Sequence, residues 1–332
     1  MMSGSDRRVY KEYGGFLPLE LNPGNEYFVD YSERMMRFNS FKAALCFLLN
    51  KVKCKKIWIP YYYCPTTINA IENCNIDVEF YHIDEDFLPR TIGDETDCAI
   101  MLVDYFGVNQ IAVREMLNKI KKAKVIIDNA HAFFSAPVMH KNIYNIYSAK
   151  KFFGVPDGAY LISSDLTAVA DYATSCSMQY VDYLVKTYEL GTNASYQGKK
   201  NADKYIAQHY APMSKLALGL LQNVDYDRVK EVRLENYKYM KDAFIELNAL
   251  SLGNDNIPYL FPLLLPEKGR NLKRKLIEKK IYVPTLWNVE QYAEIINDFE
   301  SCMAWDTLFL PIDQRYNKND MEYLADCVTR LL

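Results

Sequence analysis

Short β-rich runs alternate with helical stretches from residue 41 to residue 163, and this rhythm limits the possible folds more than any other feature of the chain. Residues 56–60 (KIWIP), 77–83 (DVEFYHI), 99–104 (AIMLVD), 125–128 (VIID), 143–148 (IYNIYS) and 160–163 (YLIS) read as strands. Helical patterns cover 41–51, 66–72 and 111–122. Strands joined through helices need crossover connections, so the order predicts a mostly parallel sheet with helices on its faces. Ligands of such sheets sit beyond the carboxyl ends of the strands.

The pattern changes after Ser164. Residues 166–248 read as predominantly helical, most clearly over 213–221 and 229–247, while the polar, Asn- and Gly-containing stretch 189–201 reads as a mobile loop. Residues 259–265 (YLFPLLL), a helix over 270–280 and an apolar run at 281–284 then suggest a small β-α-β lobe, closed by an amphipathic helix over 317–332. The expected division is a large domain over 1–248 and a small C-terminal α/β domain over 249–332.

With 332 residues, 50% of them hydrophobic, the chain can bury a large core. A net charge of -3 with both signs interspersed gives no reason to expect nucleic acid or an anionic membrane as partner, so small molecules are expected. Residues 1–15 are polar and charged rather than signal-like, and no apolar run approaches the ~20 residues of a bilayer span, so the expectation is a cytoplasmic protein. The eight cysteines form no CxxC pair, which points to reduced thiols rather than disulfides or a metal site.

Two strand ends carry the chemistry. Asp128 closes the run at 125–128, and Lys151 lies 23 residues later, just beyond the strand at 143–148. A carboxylate at the end of an apolar strand is costly unless paired. A Lys held inward by the turn Gly154-Val155-Pro156-Asp157-Gly158 could present a neutral, nucleophilic amine, because partial burial disfavours the ammonium form. An acid and an amine on opposite sides of one flat ring are what pyridoxal phosphate (PLP) needs: the amine for its aldehyde and the acid for its pyridine nitrogen. Ser148 could bind the phosphate, or simply cap the turn. His131 could meet the ring or its 3-hydroxyl, or could be structural. Asn39-Ser40-Phe41-Lys42-Ala43 opens a helix whose first N–H groups suit a phosphate. The tyrosines of Pro60-Tyr61-Tyr62-Tyr63-Cys64 could supply a ring to stack on the pyridine, with Tyr63 the chosen candidate; core packing is the plainer alternative.

In this order the motifs resemble the fold-type I PLP enzymes, and within them the DegT/DnrJ-like sugar aminotransferases. Asp128-Asn129-Ala130-His131 is similar to the family's Asp-x-Ala-x strand end. Lys151-Phe152-Phe153-Gly154-Val155-Pro156-Asp157-Gly158-Ala159 is similar to its Lys-x-x-Gly-x-x-Glu-Gly-Gly loop, a register that selects Lys151 over Lys150. Ser40 to Leu45, Asp104-Tyr105-Phe106-Gly107, Met213-Ser214, Arg233 with Asn236, and Leu310-Pro311 follow the family's further landmarks. Phe41 stands where the family has Gly, position 146 is Ile where the family commonly has Ser, and Tyr210-Ala211-Pro212 replaces an Asn and an Arg.

The resemblance implies a three-layer, mostly parallel α/β sheet and a homodimer with sites at the interface. It also implies transfer of an amino group from an amino acid such as glutamate to a keto sugar, one linked to a nucleotide. Lys151 would be the catalytic residue. Ser40, Phe41, Lys42, Tyr63, Asp128, His131 and Ser148 would hold the cofactor with it. Two other readings stay open: a PLP-dependent sugar dehydratase, a class in which His replaces the catalytic Lys, and a non-catalytic protein that keeps the fold.

Overall fold

A computed structural model describes residues 13–167, 174–253 and 257–332. Most of the polar N-terminal stretch read from the sequence therefore lies outside the described residues. Seven strands form one sheet: β1 (Met35–Phe38), β2 (Lys56–Pro60), β3 (Asp77–Tyr81), β4 (Cys98–Val103), β5 (Lys124–Asn129), β6 (Ile143–Ser148) and β7 (Ala159–Ile162), in the order β1-β7-β6-β5-β4-β2-β3. Neighbouring strands from β3 through β6 pair in parallel, whereas β7 runs against both β6 and β1.

The sheet is covered on both faces, which explains the near-continuous apolar runs of β4 to β7. Strand period two sends Met101, Val103 and Ile126 to a core shared with α1 (Phe41–Val52) and α2 (Pro65–Glu72). It sends Ile100, Leu102, Val125 and Ile127 to the opposite core with Val113 and Met116 of α3 (Gln110–Leu117). The edge strand β3 alternates between exposed and half-buried positions until it reaches Tyr81. The expected three-layer, mostly parallel α/β fold is present.

Beyond the sheet come α4 (Asp182–Leu190), α5 (Thr192–Gln208), α6 (Lys215–Leu221) and α7 (Tyr226–Ala243). The stretch 189–201, expected as a loop, is instead the end of α4 and most of α5. Gly191, at φ 83°, marks the corner between two helices, and the Thr187 hydroxyl donates to Ser195 Oγ over 2.7 Å across it. The polar residues that suggested a loop form the exposed side of α5, where Gln197 donates to Asn201 and Lys199 pairs with Asp203. The helix expected over 111–122 stops at Leu117, because the Glu95 carboxylate captures the backbone N–H groups of Lys121 and Lys122 at 2.9 and 2.7 Å.

A second, two-stranded sheet joins β8 (Phe261–Leu264) to β9 (Thr307–Leu310) antiparallel, flanked by α8 (Gly269–Glu278), α9 (Asp298–Trp305) and α10 (Lys318–Thr329). The run at 281–284, expected as a strand, is not one. One edge of β8 is paired with β9, and Asn248 takes the other, accepting from Leu264 N–H and donating to the Pro262 carbonyl at 2.9 Å each. Ile281 and Val283 are buried in the core of this lobe without strand pairing. Tyr237, Met240 and Phe244 of α7 belong to the same core. Among the described residues no helix is long and apolar enough to cross a membrane.

Candidate active site

The parallel strands deliver four chain segments to one side of the sheet: Tyr61–Tyr63 after β2, Asp104–Gly107 after β4, Asp128–His131 at the end of β5, and Ser148–Lys151 after β6. Asp128 is paired between Val103 and Ile146 in the middle of the sheet and is 5% exposed. Its Oδ2 accepts from the Tyr63 hydroxyl at 2.5 Å and its Oδ1 from the Ala130 N–H at 2.8 Å. Burial raises its pKa to about 6, against the pull of both donors and of the Lys151 charge.

The three tyrosines after β2 go separate ways. Tyr61 stacks on Phe80 at 4.9 Å, at the sheet edge, and Tyr62 stacks on Tyr105 at 5.8 Å with its hydroxyl on the Leu286 carbonyl. Tyr63 is buried. It presents its hydroxyl to the acid, a contact that stacking over a cofactor ring did not anticipate.

His131 is 3% exposed, with Tyr259 at 4.9 Å, Trp287 at 5.5 Å and Phe106 at 5.8 Å, the Trp287 plane only 9° from its own. Its Nε2 lies 3.3 Å from Lys151 Nζ. Burial first, and the Lys151 charge second, hold its pKa well below the usual imidazole range, so the ring is neutral. The neutral ring carries one proton, and with Nε2 accepting from the lysine nitrogen that proton sits on Nδ1. That Nδ1 is buried and has no partner among the described residues.

Lys151 ends a single 3-10 turn, Ala149–Lys151, its amine 5.1 Å from the centre of the Tyr259 ring. Gly158 closes the loop behind the turn, accepting from Ala149 N–H at 2.9 Å. At φ 132° it is strained for any other residue, and a Cβ there would stand 3.2 Å from the Ala149 Cβ. Lys150 turns the other way. Its amine pairs with Asp203 of α5 at 2.9 Å, and burial, then Lys199, lower its pKa. Of the two adjacent lysines, Lys151 therefore meets His131 and Lys150 meets the α5 surface.

The start of α1 lies beside this loop, because Gly158 N–H donates to the Asn39 carbonyl at 3.3 Å. Ser40 caps the helix by accepting from Ala43 N–H at 3.1 Å, which occupies its hydroxyl. The N–H groups of Phe41 and Lys42, in the open first turn, have no acceptor among the described residues. The Phe41 side chain packs against the core, so the extra bulk relative to Gly is directed away from those donors. Ser148 is 9% exposed at the end of β6, and its side chain makes no cap hydrogen bond among the described residues. Ala130, between Asp128 and His131, is half-buried.

Tyr259, Trp287 and Phe106 were not singled out from the sequence as site residues. Phe106 lies in the Asp104-Tyr105-Phe106-Gly107 landmark, whereas Tyr259 and Trp287 carry no local motif. All three surround His131.

No family model matches the chain, and a search of curated proteins finds no match. Solved structures do match. The sugar aminotransferase CalS13 from Micromonospora echinospora aligns over 90% of this chain and 87% of its own, with a TM-score of 0.59 at 14% identity. The aminotransferase TlmJ from Streptoalloteichus hindustanus aligns over 92% and 88%, with a TM-score of 0.63 at 14% identity. An E. coli GDP-4-keto-6-deoxy-D-mannose-3-dehydratase with bound hydrated PLP aligns over 91% and 89%, with a TM-score of 0.63 at 15% identity. The chain shares their fold. At such identity the match covers the path of the backbone, and the chemistry must be argued from the side chains of this site.

Proposed function

We propose that this protein is a PLP-dependent aminotransferase that moves an amino group from an amino acid such as glutamate to a keto sugar, one that is nucleotide-linked. The observation that carries the reading is the Lys151 amine, 3.3 Å from His131 Nε2, in the turn that follows the strand paired with the buried Asp128. Neighbours of the same fold that are described as sugar aminotransferases, or as holding PLP, support it.

The site's own atoms fit the cofactor. The phosphate would take the free N–H groups of Phe41 and Lys42 and the Ser148 hydroxyl. The orphaned His131 Nδ1–H is a buried donor suited to the ring's phenolic oxygen. Asp128, each oxygen holding one donor and a spare lone pair, would accept from the pyridine N–H. When bound, PLP supplies an aldehyde for amines and a ring that withdraws electrons from the attached carbon.

The protein's residues do the rest. Asp128 keeps a negative charge where the ring nitrogen needs one, and Tyr63 fixes the orientation of that carboxylate. With PLP bound, Lys151 would be the residue whose amine faces the aldehyde, and its Nζ would be the atom that holds and moves a proton. His131, neutral and walled by aromatic rings, holds Nζ by accepting its hydrogen and excludes water from that side.

Homodimer formation, a cytoplasmic setting and the division into domains 1–248 and 249–332 belong to the same proposal. The retained Lys151 amine speaks against the dehydratase alternative. Incubating the purified protein with PLP, reducing with borohydride and mapping the label tests the reading. A label on Lys151 is expected; absence of any bound PLP would sink the proposal, including its enzymatic part.

A further inference from the structure

Arg233 of α7 is 1% exposed, and no carboxylate lies within ion-pair distance of it among the described residues. Buried guanidinium groups ordinarily need such a partner. The Asp313 charge favours the ionised form from beyond ion-pair distance, and oxygen acceptors make the direct contacts to Arg233. Its Nε donates to Gln314 Oε1 at 2.9 Å, one terminal nitrogen to the carbonyls of Pro258 and Tyr259 at 3.1 and 3.2 Å, and the other to the Phe152 carbonyl at 3.4 Å. Gln314 Nε2 donates to the same Phe152 carbonyl at 2.8 Å. The guanidinium also lies 4.6 Å over the Phe152 ring. Burial lowers its pKa to about 10, which leaves it charged at neutral pH.

The acceptors belong to two segments that share one function. Phe152 directly follows Lys151, and Tyr259 places its ring 5.1 Å from the Lys151 amine and 4.9 Å from His131. One side chain thus ties the backbone that carries the amine to the backbone that carries its aromatic wall, over 81 residues of chain in one direction and 26 in the other. We propose that Arg233, with Gln314 as its relay, is the positioning residue that holds the Lys151 amine against His131 and Tyr259. The inference rests on the role of Lys151 given above. Neither Arg233 nor Gln314 touches the reacting groups. Their effect passes through the Phe152 and Tyr259 carbonyls, and displacement of a reacting group by about 1 Å can lower a rate by about 100-fold.

The test uses the full-length protein, Arg233→Lys and Gln314→Leu, the latter altering a half-buried side chain whose loss leaves the core filled. Trace acetylation with acetic anhydride, read by peptide mass spectrometry, gives the reactivity of Lys151 relative to Lys150 without any cofactor. Coupling of PLP to Lys151, fixed by borohydride at timed intervals, gives the second readout. The expected result is a Lys151-to-Lys150 acetylation ratio changed at least threefold in both variants. PLP coupling should slow by about tenfold to 100-fold in Arg233→Lys, with less slowing in Gln314→Leu. Folded variants that keep the wild-type ratio and coupling rate overturn the proposal, since a purely structural Arg233 would move the melting temperature alone. If Arg233→Lys does not fold, Gln314→Leu decides by the same ratio. Wild-type protein that never couples PLP at Lys151 defeats the functional reading, while the acetylation ratio still judges the positioning role.

Discussion

The Tyr63 hydroxyl donates to Asp128 Oδ2 across 2.5 Å, joining the turn after β2 to the end of β5 inside a layer that water does not reach. The bond sets the direction of the carboxylate and opposes the rise of its pKa, which burial nonetheless carries to about 6.

Removing that donor should cost most when Asp128 is ionised. Tyr63→Phe is expected to lower stability by about 1–3 kcal/mol at pH 8, the usual penalty for leaving a buried polar group without its partner. At pH 5, where Asp128 is mostly protonated, the loss should shrink. Denaturant titrations at the two pH values check this, and an equal loss at both would place the value of the bond in packing alone.

The pH dependence of Asp128 has a definite sign. Its folded pKa, about 6, stands above the ordinary aspartate value of about 3.9, so the fold binds this proton more tightly than the unfolded chain does. The resulting stabilisation is complete below about pH 4, fades as pH rises through 6, and at pH 8 leaves a cost on the order of 3 kcal/mol. Asp128→Asn should therefore raise the melting temperature of the cofactor-free protein at pH 8, and the difference should vanish below pH 4. The same variant should bind PLP more weakly and turn over more slowly.

The two lysines should separate cleanly. Lys151→Ala should abolish both the borohydride label and transamination. Lys150→Ala should keep the label and lose less than about 1 kcal/mol with its Asp203 partner, as for ion pairs near the surface. A label that follows Lys150 would overturn the assignment.

Two serines near the start of α1 should behave oppositely. Ser40→Ala removes a helix cap and should cost about 1 kcal/mol of stability with a small change in PLP affinity, because its hydroxyl is occupied by Ala43. Ser148→Ala should leave stability nearly unchanged and weaken PLP binding more, since that hydroxyl makes no cap hydrogen bond among the described residues. Thermal melts and PLP titrations of both variants test the contrast.

The central strands were legible because burial on both faces writes itself as unbroken apolar runs, as in Cys98–Val103. Strand β1 escaped notice: it is an edge strand of only four residues, and Arg37 within it turns to a paired Glu26. Residues 189–201 misled because Asn and Gly mark both loops and the outer sides of paired helices, and what separates them here is the fit of Tyr183 and Ala202 into a small core of their own. At the site, Asp128, His131, Ser148 and Lys151 were readable as strand-end chemistry, each close to a local turn signal. The placement of Tyr259 and Trp287 was not, since it arises when the C-terminal lobe folds back over β5.

Trp287 and Tyr259 also give the site an order of completion during synthesis. The segments bearing Asp128 and Lys151 are finished once β7 ends at Ile162, yet two of the three rings around His131 arrive only with residues 259 and 287, and Tyr62 finds its Leu286 carbonyl no sooner. At general translation rates this separation lasts about 10 s. The segment that carries the lysine is thus synthesised well before Arg233, Tyr259 and Trp287, and the full surroundings of its amine exist only when most of the polypeptide has been made.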